Sequence, residues 1–143
     1  MDFAKIGLAL QHIERGHVHR HLGEWDAALH EYTVSMNLVQ RNFLAHVGRG
    51  LALNGKGNDT GDTSYFALAV KELTIAIAIG NDENDVLAEA YYNRGCILTD
   101  DLGKHDLALA DFQKALQLVP DYHGAKQGID RAQRGNRPQI GGY

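Results

Sequence analysis

The sequence predicts an all-α protein of about seven helices, arranged as an α-solenoid of antiparallel helix hairpins. Three observations support this prediction. An octapeptide that starts at Leu22 recurs at Leu102 with five of its eight positions identical. An Arg-Gly pair lies in the first half of each of three predicted hairpins, at Arg15, Arg49 and Arg94. The 143-residue chain contains only two prolines, which leaves room for long uninterrupted helices around one buried core.

The glycines of the Arg-Gly pairs set the repeat period. Gly16 and Gly50 lie 34 residues apart, whereas Gly50 and Gly95 lie 45 residues apart. Two insertions account for the longer spacing: seven residues between Gly50 and Ala69, and four more just before the next predicted helix. Both insertions fall where glycine, asparagine and aspartate cluster. We therefore expect a loop at each of them, the first over residues 54–64.

The recurring glycines also predict how the helices of a hairpin cross. Glycine in mid-helix costs ~1 kcal/mol relative to alanine, so its recurrence needs a structural reason. Helix axes approach closely only where the side chains at the crossing are small. We therefore predict that a glycine of the first helix meets an alanine of the second in each hairpin: Gly16 with Ala28, Gly50 with Ala69, and Gly95 with Ala108.

Helix bounds follow from the hydrophobic periodicity and the turn residues. Gly23 and Gly103 are placed to end the first helices of their hairpins in the left-handed conformation, and one extra residue precedes Gly103. Asn84 or Asp85 is expected to be a helix N-cap. The predicted helices lie near residues 3–22, 25–38, 43–54, 64–79, 85–101, 105–117 and 122–135. Residues 136–143, with Pro138 and two glycines, are expected to form a disordered tail.

One segment resembles a known family. The stretches that begin at Ala88 and at Ala108, followed by Pro120, are similar to a tetratricopeptide repeat (TPR) close to its consensus. The resemblance covers roughly residues 9–135 and implies a right-handed α-solenoid that forms one domain over residues 1–135. It implies three repeats and a C-terminal capping helix: about 9–42, 43–83 and 88–122, then 122–135.

Composition and charge argue against several classes of function. The net charge of −4 lacks the basic excess that nucleic-acid binding favours. No apolar run approaches the ~20 residues of a membrane span, and no signal peptide is visible. The single Cys96 excludes an internal disulfide and fits a reducing compartment, so a cytoplasmic location is expected. We expect no membrane contact, no nucleic-acid partner and no cofactor.

Two motifs resemble catalytic or ligand-binding signatures only in part. The segment from Gly50 to Gly57 nearly matches a phosphate-binding loop, but Gly57 stands where a hydroxyl should contact magnesium, and the segment lies on a predicted helix. His17 and His21 share a helix face, but a zinc site needs a third ligand there. No Ser-His-Asp or Cys-His pairing can be proposed. We therefore predict neither a metal site nor enzyme activity, and a metal-dependent enzyme using the N-terminal histidines is the third alternative.

The family resemblance implies a binding groove on the concave side, lined by the first helix of each repeat. Some relatives clamp a C-terminal carboxylate there with lysine, arginine and asparagine. The corresponding residues here are Ile13, His17, Gly48, Glu89 and Asn93, of which only Asn93 fits, so that clamp is absent. The predicted groove is apolar at its centre, basic near the first hairpin and acidic near the third. Its predicted residues are Leu10, Ile13, His17, Arg20, Leu44, Val47, Leu51, Glu89, Tyr92, Asn93 and Cys96.

Two functions remain open at this point. The leading prediction is a non-catalytic adaptor module that binds a protein or peptide in the groove. The alternative is a self-associating structural unit. Phe3, Ile6, Leu10 and Ile13 form a stripe at helical spacing on the first helix, and no earlier helix in this sequence covers it. The stripe would then join chains into a homo-oligomer.

Overall fold

A computed structural model describes residues 2–137, and all regular secondary structure in that part of the chain is helical, as predicted. The helices are α1 Phe3–His21, α2 Trp25–Leu38, α3 Phe43–Thr60, α4 Ser64–Ile79, α5 Asn84–Cys96, α6 His105–Leu118 and α7 His123–Gly135. A π-helical turn, Ile97–Asp101, continues α5. None of these helices is long and apolar enough to cross a membrane.

The helices form two compact units. In the first, which ends at Asp82, α1 packs on α2, α2 on α3, and α3 on α4. In the second, which begins at Glu83, α5 packs on α6, and α6 packs on α7. The first unit thus contains two hairpins, and the second contains one hairpin followed by α7. The single domain over residues 1–135 stays a prediction.

Local signals explain where most helices begin and end. The Asp2 and Asn42 side chains accept backbone N–H bonds at the starts of α1 and α3. Gly23 and Gly103 have φ of +74° and +65°, so both adopt the predicted left-handed conformation just after their helices. The predicted cap at Asn84 or Asp85 is wrong, because Glu83 occupies the N-cap position and its side chain makes no capping bond.

Each hairpin is built around one large buried side chain. Ala28, Ala69 and Ala108 are fully buried, as the predicted crossings require. The glycine, however, faces a larger side chain one turn further along the second helix. The pairs are Gly16 with Tyr32, Gly50 with Leu73, and Gly95 with Phe112, and the larger partner is completely buried in each. A Cβ at any of these glycines would lie within 3.0 Å of its partner, so the missing side chain makes room for the partner's bulk.

The loop predicted over residues 54–64 is mostly helix. α3 continues to Thr60, and Gly61, with φ of +74°, ends it. Gly55 lies against the Trp25 ring, and Gly57 is buried against Phe66. The seven extra residues therefore lengthen a helix instead of forming a loop.

Tertiary contacts hold this extension of α3 in place. The Trp25 indole Nε1 donates to Asp59 over 2.6 Å. The Lys56 ammonium lies 2.6 Å from an Asp26 carboxylate oxygen and 4.9 Å from the centre of the Tyr65 ring. The segment that resembles a phosphate-binding loop is thus a regular helix packed against its neighbours.

Replacing Gly57 with leucine is expected to lower the free energy of unfolding by about 1–3 kcal/mol, because a Cβ there would already lie 2.8 Å from the Phe66 ring. The matched control is Gly7→Leu, also in a helix, where nothing lies within 4 Å of the added Cβ. Leucine should raise stability slightly at Gly7 through its helix propensity. Urea denaturation measures both variants. Equal free energies for the two would contradict the packed α3 extension.

The extra residue before Gly103 is absorbed by the π-helical turn. The Leu102 N–H bonds to the Ile97 carbonyl five residues earlier, over 3.1 Å. The turn also places the Thr99 hydroxyl 2.5 Å from Nδ1 of His105. Next to this contact, the Asn136 amide donates to Asp106 over 2.7 Å. Residues 138–143 of the predicted tail lie outside the described residues.

Candidate peptide-binding surface

The predicted groove residues divide between the two compact units. Those of the first unit lie on α1 and α3: Leu10, Ile13, His17, Arg20, Leu44, Val47 and Leu51. Those of the second unit lie on α5: Glu89, Tyr92, Asn93 and Cys96.

The α1–α3 surface presents apolar side chains to solvent. Leu10 is 47% exposed and Leu44 is 40% exposed, while Val47 and Leu51 are half-buried. Ile13, in contrast, is only 4% exposed and packs in the core with Ala28 and Tyr32. The assignment of Ile13 to a binding surface is therefore wrong: its side chain stabilises the hairpin and does not face a ligand.

A polar cluster borders this surface. The Tyr32 hydroxyl lies 2.6 Å from Nδ1 of His17 and accepts a hydrogen bond from Nε of Arg20 over 3.3 Å. The Tyr32 ring fits against two glycines, Gly16 of α1 and Gly48 of α3, where any Cβ would overlap it. The two helices thus position a buried tyrosine so that its hydroxyl reaches a histidine and an arginine at the surface.

Burial and nearby charge set the protonation of His17. Its burial lowers the pKa below 6.5, and the positive charges of Arg20 and His21 lower it further, with only Glu14 acting in the opposite direction. His17 is therefore neutral at neutral pH, and Arg20 carries the charge of the cluster.

The α5 surface is largely occupied by contacts within its own unit. The Tyr92 ring lies 6.0 Å from the Phe112 ring and 5.1 Å from the Tyr122 ring, measured between centroids. Burial raises the pKa of Tyr122 to about 12. Tyr92 therefore joins α5, α6 and the start of α7, which leaves only part of its ring available to a ligand.

Cys96 lies in a network that suits packing better than reaction. Arg131 of α7 contacts the Cys96 sulfur at 3.5 Å and both Asp100 carboxylate oxygens at 3.2 and 3.3 Å. Burial raises the pKa of the Cys96 thiol, so the thiol stays protonated at neutral pH and is a poor nucleophile. Sequence reasoning missed Arg131 and Asp100, because α5 and α7 are separated by a whole helix.

Two other histidines hold helices together. Nδ1 of His12 lies 2.6 Å from a Glu31 carboxylate oxygen, and Nδ1 of His46 lies 2.8 Å from Glu72. Each pair joins the first helix of a hairpin to the second. Within residues 2–137, no three His, Cys, Asp or Glu side chains are grouped as a metal site requires.

These features define a protein built of antiparallel helical hairpins with glycine–aromatic or glycine–leucine crossings. The tetratricopeptide repeat family model matches residues 88–122. The described residues thus have a TPR-like fold, with three hairpins followed by a further helix, α7.

Solved TPR structures are similar over most of the chain. The Arabidopsis OM64 TPR domain is 25% identical, with a TM-score of 0.76 over 91% of this chain and 98% of that domain. The first TPR of Spaghetti (RPAP3), bound to the HSP90 peptide SRMEEVD, is 23% identical, with a TM-score of 0.76 over 90% of this chain and 92% of that chain.

A third similar structure also contains a peptide. The second TPR domain of human RPAP3, in complex with the HSP70 peptide SGPTIEEVD, is 24% identical. Its TM-score is 0.75, over 90% of this chain and 98% of that domain. No curated protein matches the sequence.

Proposed function

We propose that the chain is a non-catalytic adaptor that binds a protein or peptide segment on the α1–α3 surface. The observation that carries the proposal is the apolar surface formed by Leu10, Leu44, Val47 and Leu51, which stays partly open to solvent. Burying such side chains stabilises a complex by roughly 25 cal/mol per Å² of apolar area. A cytoplasmic location and the absence of nucleic-acid and membrane partners belong to the same proposal.

The similar structures support the kind of ligand. Two of the TPR domains named above hold short peptides from HSP90 and HSP70. Ile13 and Gly48 stand in this chain where the carboxylate clamp of some relatives has lysine, arginine or asparagine. We therefore propose an apolar partner segment rather than a C-terminal carboxylate as the main determinant of binding.

Changing Leu44 to aspartate is expected to abolish partner capture, because the carboxylate would be desolvated against an apolar partner. The melting temperature should stay within a few degrees, since the Leu44 side chain is exposed. The matched control is Leu68→Asp on α4, a leucine of similar exposure, 46%. Affinity capture from lysate, with mass spectrometry and a thermal melt, measures the effect. Undiminished capture by Leu44→Asp would move binding off this surface.

Self-association is a second candidate, favoured by the exposure of α1. Phe3 is 76% exposed and Leu10 is 47% exposed, so two large apolar side chains on one face of α1 reach solvent. Large exposed apolar side chains close together often mark an interface. A light-scattering mass of two chains that falls to one in Phe3→Asp would establish this candidate.

A further inference from the structure

We infer that His17 and Arg20 together recognise an acidic side chain of the partner, and that the buried Tyr32 hydroxyl fixes His17 as a hydrogen-bond donor. The inference rests on the proposed function, because it names the chemistry that the α1–α3 surface selects. His17 stands at one of the five clamp positions, but the carboxylate proposed here belongs to an acidic side chain within the partner and not to its C-terminus.

The hydrogen bonds of Tyr32 determine the tautomer of His17. Nε of Arg20 can only donate, so the Tyr32 oxygen accepts from it. The Tyr32 hydroxyl then has its own proton to donate, and Nδ1 of His17, 2.6 Å away, is its acceptor among the described residues. A neutral imidazole that accepts at Nδ1 carries its proton on Nε2. Nε2 of His17 is thus an N–H donor.

Donors on both residues remain unused. Within residues 2–137, no hydrogen bond or ion pair reaches Nε2 of His17 or the terminal nitrogens of Arg20. Both side chains are half-buried and lie one turn apart on α1. Together they offer an imidazole N–H and a charged guanidinium group, a combination that suits the oxygens of a carboxylate.

Local charge favours an acidic segment over a single terminal charge. The last turn of α1 carries three basic residues in a row, His19, Arg20 and His21. His19 lies 3.6 Å from Glu24, whereas His21 is exposed beside the cluster. The apolar Val47 and Leu51 lie on the neighbouring helix α3. The occupant that fits is a peptide with one or more Asp or Glu side chains next to bulky apolar residues.

Selection from a random dodecapeptide display library on the whole chain tests the inference. We expect enriched peptides to carry Asp or Glu beside apolar residues. An enriched peptide should bind about tenfold more tightly than its Glu→Gln twin, the loss expected for one charge-assisted hydrogen bond. Arg20→Gln should remove that preference, whereas the matched control Arg15→Gln, on the same helix, should keep it. Fluorescence anisotropy measures the affinities.

Tyr32→Phe tests the positioning role separately. The ring stays, so packing is kept, but the hydroxyl that fixes the His17 tautomer is lost. We expect a mixed tautomer in the ¹⁵N spectrum of the His17 imidazole and a smaller preference for Glu over Gln. An unchanged ¹⁵N spectrum would overturn the role of Tyr32, and a thermal melt shows that the variant is folded.

The other outcomes are distinguishable. Enriched peptides without acidic residues would overturn the acid site and leave the adaptor proposal standing. The acid site would also be overturned if Arg20→Gln and Arg15→Gln reduced the preference for Glu over Gln equally. A Glu→Gln peptide that regains full affinity through a free C-terminal carboxylate alone would overturn it as well. A library that yields no enriched peptide at all counts against the proposed function itself.

Discussion

Replacing Phe112 with alanine is expected to lower the free energy of unfolding by about 3–5 kcal/mol, the largest effect of any change considered for this chain. The Phe112 ring is fully buried, and it lies between Gly95 of α5 and Gly128 of α7. Neither glycine has a side chain that could move into the space that the ring leaves. The cavity would therefore persist and touch all three helices of the second unit.

Leu107→Ala is the control for this prediction. Leu107 lies on the same helix and is 58% exposed, so its loss should change the free energy of unfolding by no more than about 0.5 kcal/mol. Urea denaturation followed by circular dichroism measures both variants. Similar losses at Phe112 and Leu107 would show that the Phe112 ring is not the centre of this hairpin.

The hairpin crossings could be predicted from sequence because one physical constraint recurs. A mid-helix glycine costs stability, so we expect each of three regularly placed glycines to make room for a side chain of the neighbouring helix. The neighbour itself was harder to predict. The alanines were chosen because they are small, yet Tyr32, Leu73 and Phe112 fill the space instead. One large side chain that packs against a bare backbone thus fills the crossing in place of two small side chains.

The end of α3 could not be predicted from local composition. Glycine, asparagine and aspartate over residues 55–62 are typical of a loop, and nothing nearby in sequence opposes that interpretation. The helix is kept by partners about 30 residues away, since Trp25 bonds to Asp59 and Asp26 bonds to Lys56. Tertiary contacts of this kind override weak local propensity.

The candidate surface was predictable only in part. The prediction that the first helix of each hairpin lines the groove identified the exposed Leu10 and Leu44. It also assigned Ile13 to the groove, although the Ile13 side chain is buried. The role of Tyr32 was missed because it belongs to a second helix. One signal was present: Tyr32 carries a hydroxyl where the other two hairpins have Leu73 and Phe112. A buried hydroxyl needs a partner, and His17 and Arg20 supply one.

Replacing Asp111, the buried acid of the third hairpin, is expected to have the second-largest effect on the free energy of unfolding. Asp111 is 4% exposed and accepts two hydrogen bonds from Arg94, at 2.8 and 2.6 Å. Asp111→Ala would leave the Arg94 guanidinium partly buried without this carboxylate. Breaking a buried pair in this way costs about 3 kcal/mol, the lower end of the usual range, because 20% of the Arg94 side chain still reaches water. Urea denaturation measures the loss, and Lys114→Ala, an exposed position on the same helix, is the control.

A double variant separates the attraction within this pair from the cost of removing only one of its two charges. Replacing both residues, Arg94→Met with Asp111→Leu, removes the two charges together and keeps most of the buried volume. Its stability should return to within about 1 kcal/mol of the natural chain, because exchanging a whole buried ion pair for apolar groups is often neutral. The first two hairpins hold an acid at the corresponding place, Glu31 and Glu72, each bonded to a histidine. If the double variant is as unstable as Asp111→Ala, the pair itself joins α5 to α6, and the loss of a carboxylate beside the Arg94 charge is not the explanation.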